Sequence, residues 1–130
     1  MSEISVPLSP GELADKITIL QIKSERIDSA AKLENVNREL TLLIGVWQSS
    51  SYAIDTVSAQ MNELKSINEE LWDIEDAIRV KEKSAEFDEE FIRLARAVYV
   101  TNDKRAAVKK NINTALGSVL VEEKSYEDYS

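Results

Sequence analysis

The sequence predicts an all-α protein, an antiparallel helical bundle of about four helices finished by a short C-terminal strap. Three observations lead there. Apolar residues recur every three or four positions through most of the chain. Only 3 Gly and 2 Pro interrupt 130 residues, so few turns are available and the elements must be long. Helix start and stop signals bracket the periodic runs.

Ser9-Pro10-Gly11-Glu12 has the form of a helix start. Ser9 caps, Pro10 takes the first helical position and Glu12 is placed to close a capping box. The first helix should run from Pro10 to about Ser29. Leu13, Ile17, Leu20 and Ile27 form one stripe and Ile19 and Ile22 widen it, which suits a central helix touching neighbours on two sides. Leu33, Val36, Leu40, Leu43 and Trp47 predict a second helix ending before Gln48-Ser49-Ser50-Ser51, the strongest turn signal in the chain. Val57, Met61, Leu64, Asn68, Leu71, Ile74 and Ile78 predict a long third helix to about Lys83, with Asn68 its one polar interruption. After a restart at Ser84–Asp88, Phe87, Phe91, Leu94, Val98, Ala106, Ile112 and Leu116 predict a fourth helix with Gly117 as its C-cap, and Asn102-Asp103 are a place where it could kink or divide, which the sequence leaves open. The remainder, Val119 to Ser130, reads as a strap with Tyr126 and Tyr129 able to dock on the bundle. Neither a repeat nor a second domain is visible, so residues 1–130 are expected to form a single domain.

The composition, 43% hydrophobic and 31% charged, is that of a folded chain with a charged surface. Without cysteine there is no disulfide, thiolate metal site or thiol nucleophile. Without histidine the usual general base near neutral pH and the commonest zinc ligand are gone, and Ser125 has no histidine to activate it. Met1 to Leu8 lack a signal-peptide pattern and no stretch resembles a membrane span. A soluble, cytoplasmic protein is expected, with no membrane partner. A net charge of −8 opposes nucleic-acid binding.

Three helices carry candidate site residues. On the third, Asn68, Trp72, Glu75, Arg79 and Glu82 form a polar and aromatic stripe beside the apolar one. Asp73 and Asp76 share a face there, as Glu12 and Asp15 do on the first helix. The four could converge on magnesium, a pattern similar in outline to the acidic pairs of all-α nucleotide pyrophosphatases. On the fourth helix, Arg105, Lys109 and Asn113 follow i, i+4 steps, with Arg96 and Asn102 nearby, a cationic strip suited to a phosphate or carboxylate. Plainer roles compete with these. The acids suit a solvated face, Glu75 and Arg79 an intrahelical pair, Trp72 a core or interface anchor, and Arg96 and Arg105 structural partners of Glu75, Asp76 or Asp103.

Taken together, Gly11-Glu12-Leu13, Asp15-Lys16-Ile17, Ile22-Lys23, Leu71-Trp72-Asp73-Ile74-Glu75-Asp76, Ile78-Arg79, Leu94-Ala95-Arg96, Asn102-Asp103, Arg105-Ala106, Lys109, Ile112-Asn113 and Glu122-Glu123-Lys124-Ser125-Tyr126 resemble a family of small uncharacterised helical proteins of bacteria and their viruses. The resemblance spans nearly the whole chain and brings no assigned function. It implies a shared site among Glu12, Asp15, Lys16, Lys23, Trp72, Asp76, Arg79, Arg96, Asn102, Arg105 and Lys109.

Three functions are therefore expected, in order. The first is a polar inter-helix site for a small phosphorylated or carboxylated metabolite. In it Arg79, Arg96, Asn102, Arg105, Lys109, Trp72, Lys16 and Lys23 hold the ligand, and Asp76 or Glu75 serves as acid or base. The second is a non-catalytic adaptor or homo-oligomerisation module that recruits a protein partner through an apolar seam. The third is a magnesium-dependent nucleotide hydrolase built on Glu12, Asp15, Asp73 and Asp76.

Overall fold

The computed structural model describes residues 3–129; Met1 and Ser2 of the N-terminal stretch and Ser130 of the strap lie outside them. Four helices carry the fold, and no strand occurs among the described residues: α1 Pro10–Arg26, α2 Ala30–Ser49, α3 Ser58–Lys83 and α4 Glu89–Leu116.

The start of α1 is as expected in one half. The Ser9 hydroxyl accepts from the Glu12 N–H at 3.2 Å, but the Glu12 carboxylate does not close the box, because Lys109 of α4 holds it at 2.7 Å. The helix ends three residues earlier than predicted. Ile27 is extended, and Ser29 caps α2 by accepting from the Lys32 N–H. A serine suits either role, and here it starts the next helix.

The α2 helix runs past Trp47 to Ser49. It stops where the Ser49 and Ser50 hydroxyls donate back to the carbonyls of Gly45 and Trp47. Before α3, Ile54–Val57 make a single 3₁₀ turn that buries Val57 completely. The turn from α3 to α4 passes through Ala85 at φ 53° and is clasped by Lys81, 3.1 Å from Glu86 and 2.9 Å from Asp88. Asp88 caps α4 by accepting from the Phe91 N–H at 3.0 Å, and Gly117 closes it at φ 69°, the left-handed position predicted for it.

Asn102-Asp103 do not divide the helix, and α4 is continuous from Glu89 to Leu116. Both side chains are engaged away from their own backbone. Asn102 accepts from Arg105 and Asp103 from the Tyr129 hydroxyl, so neither competes with the helical hydrogen bonds.

Helix α1 packs against each of the other three. Its Leu13, Ala14 and Ile17 meet Trp47, Val57, Leu64, Ile67, Leu71, Val108 and Ile112 in one core. Past Arg26, which pairs with Asp73 at 2.6 Å, α1 has ended and α3 runs on with α4 as its main neighbour. Along this two-helix arm Val80, Phe87 and Ile92 stay 66, 60 and 56% exposed.

Candidate functional site

At the centre of the molecule sits a carboxylate. Asp15 is only 1% exposed, a position acids occupy when they are paired. The Arg105 guanidinium donates to both of its oxygens, Nε at 2.8 Å and Nη2 in a shorter contact. The Asn68 amide donates to Asp15 Oδ1 and to the Thr18 hydroxyl, both at 3.0 Å, and that hydroxyl donates to the Asp15 carbonyl at 2.8 Å. Three helices are thus joined at one buried anion.

Burial pushes the Asp15 carboxyl up. The Arg105 fork, the Asn68 amide and the charges of Arg105 and Lys109 more than reverse this and hold it below the ordinary carboxylate value. The fork on Asp15 in turn raises the Arg105 guanidinium against the effect of burial.

The contact between α1 and α4 continues in register. Buried Lys109 lies 2.7 Å from Glu12 and 3.2 Å from Glu122 of the strap; desolvation disfavours its charge, but these acids and Asp15 keep it raised. One turn on, Asn113 Oδ1 accepts from the Gly11 N–H at 2.7 Å. Glycine is required there, because a Cβ would collide with the Lys109 carbonyl oxygen and lie 2.9 Å from Asn113 Oδ1. The predicted strip of Arg105, Lys109 and Asn113 therefore exists, but it faces α1. The partner of Arg105 is Asp15, rather than Glu75, Asp76 or Asp103.

Beside this network, α1, α3 and α4 enclose a groove of about 420 Å³. Trp72, Glu75, Asp76 and Arg79 line it from α3, Asn102 and Arg105 from α4, and Ile19 and Ile22 from α1. Arg79 is 3.4 Å from Glu75. A smaller hollow of about 260 Å³ adjoins it on the other side of Asn102 and Arg105, where Glu12, Lys109 and Glu122 meet.

Six of the expected site residues thus share one groove, and Lys109 and Glu12 sit next to it. Lys16 is exposed and Lys23 half-buried, and both lie away from the groove and the hollow. Arg96 is exposed and donates to the Tyr99 hydroxyl at 3.4 Å. Asp73 belongs to Arg26, whose guanidinium also lies over the Trp72 ring, 5.8 Å from its centroid. The four magnesium candidates do not assemble. Glu12 faces Lys109, Asp15 faces Arg105, Asp73 faces Arg26, and among the described residues no three acidic side chains are grouped to hold a metal.

Asn68, a member of the polar stripe, and Glu122, part of the tail motif, also belong to the site's surroundings. Thr18 and Arg26 join them without any signal in the sequence.

The strap returns along α4. The Tyr129 hydroxyl donates to Asp103 at 2.5 Å, and its ring meets Tyr99 edge to face, centroids 5.1 Å apart. The hydrogen bond to Asp103 raises the Tyr129 phenol to about 12.

Fold and site together define a small all-α protein with a buried, charge-paired junction between its first and last helices. The chain belongs to the Family of unknown function (DUF6165), whose model matches residues 4–129. No curated protein and no solved structure matches it. Among the described residues no helix is long and apolar enough to cross a membrane.

Proposed function

We propose that the groove between α1, α3 and α4 binds a small phosphorylated or carboxylated metabolite of the cytoplasm. The observation that supports this is the state of Arg105. Asp15 fixes two of its nitrogens from behind, while Nη1 makes only a long contact, 3.4 Å to Asn102, at the groove wall. A guanidinium oriented before a ligand arrives loses little freedom on binding. Arg79 supplies a second cation, Trp72 an apolar face, and Glu75 or Asp76 the proton transfer that any reaction of the ligand would need.

The test is a thermal-shift screen of the full chain against nucleotides, sugar phosphates and small carboxylates, with and without magnesium. A ligand at a hundredfold excess over its Kd stabilises by about 2.7 kcal/mol. The expected hit is lost in Arg79→Ala, an exposed residue whose removal leaves the core intact. A flat screen, or a hit that survives Arg79→Ala and Trp72→Leu, refutes the proposal.

The exposed Val80, Phe87 and Ile92 of the α3–α4 arm favour a second role, as an adaptor or oligomerisation module. Light scattering that shows a monomer at every concentration would remove its oligomeric form.

A further inference from the structure

Between α4 and the strap lies a larger hollow, about 740 Å³, whose lining is more acidic than that of the groove. Its walls carry three tyrosines, Tyr99, Tyr126 and Tyr129, and three acids, Asp103, Glu127 and Asp128, against a single base, Lys124. Formal charges of three acids and one lysine sum to −2, so the hollow repels the anions that Arg79 and Arg105 would attract. The strap is held at both ends of it, by Glu122 on Lys109 and by Tyr129 on Asp103 and Tyr99. Yet the rings stay open, Tyr99 at 42, Tyr126 at 80 and Tyr129 at 55% exposure.

Aromatic faces among carboxylates are the environment in which an organic ammonium ion is stabilised, through the ring quadrupole and through charge. The chain already contains such a contact, with Lys124 Nζ over the Tyr126 ring at 5.5 Å from its centroid. We propose that this hollow is a binding site for a small organic cation of the alkylammonium class, and that Lys124 covers the Tyr126 face when no such cation is bound. Neither Arg79 nor Arg105 takes part, so the proposal stands apart from the anion groove.

The probe is choline chloride, titrated at constant ionic strength into the full chain carrying ¹³C-labelled tyrosine and followed by NMR. The control is its neutral carbon isostere, 3,3-dimethylbutan-1-ol. Saturable shifts are expected for Tyr99, Tyr126 and Tyr129 but not Tyr52, with the isostere at least about fivefold weaker because it lacks the charge. Tyr126→Leu weakens choline binding. Lys124→Ala tightens it about two- to fivefold by clearing the ring and removing a like charge, whereas loss of a surface lysine far from the hollow leaves it nearly unchanged. No saturation up to about 50 mM choline, on the scale of weak binding, overturns the proposal, as does equal affinity for the isostere or a Lys124→Ala chain that binds no more tightly.

Discussion

Replacing Arg105 by Met keeps most of the buried stem and deletes the guanidinium, leaving Asp15 as a carboxylate with 1% exposure and the Asn68 amide as its remaining side-chain donor. Removing one partner of a fully buried pair costs about 3–5 kcal/mol. The Arg105 side chain is 29% exposed, so water already screens part of the interaction and a loss of about 2–3 kcal/mol is expected at pH 7. For a chain of this size that is a fall in Tm of roughly 8–12 °C. The pH dependence identifies the cause. In the parent the folded Asp15 pKa lies below its unfolded value, so its stabilisation is complete above that value, ~3.9, and is lost as pH falls through it toward the folded one. In Arg105→Met burial is opposed only by Asn68 and the charge of Lys109, and the folded pKa moves up. The carboxylate then takes a proton earlier on acidification, relieving the penalty, and the stability gap to the parent narrows as pH falls. Urea unfolding of both proteins between pH 3 and 7, on the order of these carboxylate values, measures it. A gap that stays constant with pH, or a loss under about 0.5 kcal/mol at pH 7, would refute this account of the junction.

Gly11→Ala is expected to destabilise by about 2 kcal/mol or more, because both the Lys109 carbonyl and Asn113 stand where the methyl would go and α1 must move off α4; an unchanged midpoint in urea would show that the helices part easily. In a spectrophotometric titration one tyrosine should ionise only near pH 12, and Asp103→Asn should bring it down, since the Asp103 carboxylate is the main cause of the delay. Failure of Asp103→Asn to move that step would place the strap elsewhere.

The helices were legible because each has a local cause: a cap, a stripe, a glycine with the right hand. Elsewhere one signal serves two purposes. Ser29 suits an end or a beginning, and Asn102-Asp103 suit a break only if their side chains have nothing better to bond. At the site, the carboxylate pair of Glu12 and Asp15 and the spaced Arg105, Lys109 and Asn113 were each visible. Their pairing with one another was not, since it depends on how α1 lies against α4, which no periodicity encodes. Lys16 shows the same limit, because a neighbour of Asp15 is turned about 100° around the helix and faces water.

The junction also fixes an order of events during synthesis. Asp15 and Arg105 are 90 residues apart, and Gly11 and Asn113 are 102. While α1 is newly made, the groups that neutralise Asp15 and Glu12 and receive the Gly11 N–H do not yet exist, and burying α1 would strand an acid and an amide in the interior. The α3–α4 hairpin, by contrast, is close in sequence and can pair as it emerges. The face of α1 that carries Gly11, Glu12 and Asp15 can be completed only once α4 is made, so in a ribosome-bound chain ending before Arg105 that face should stay open to solvent.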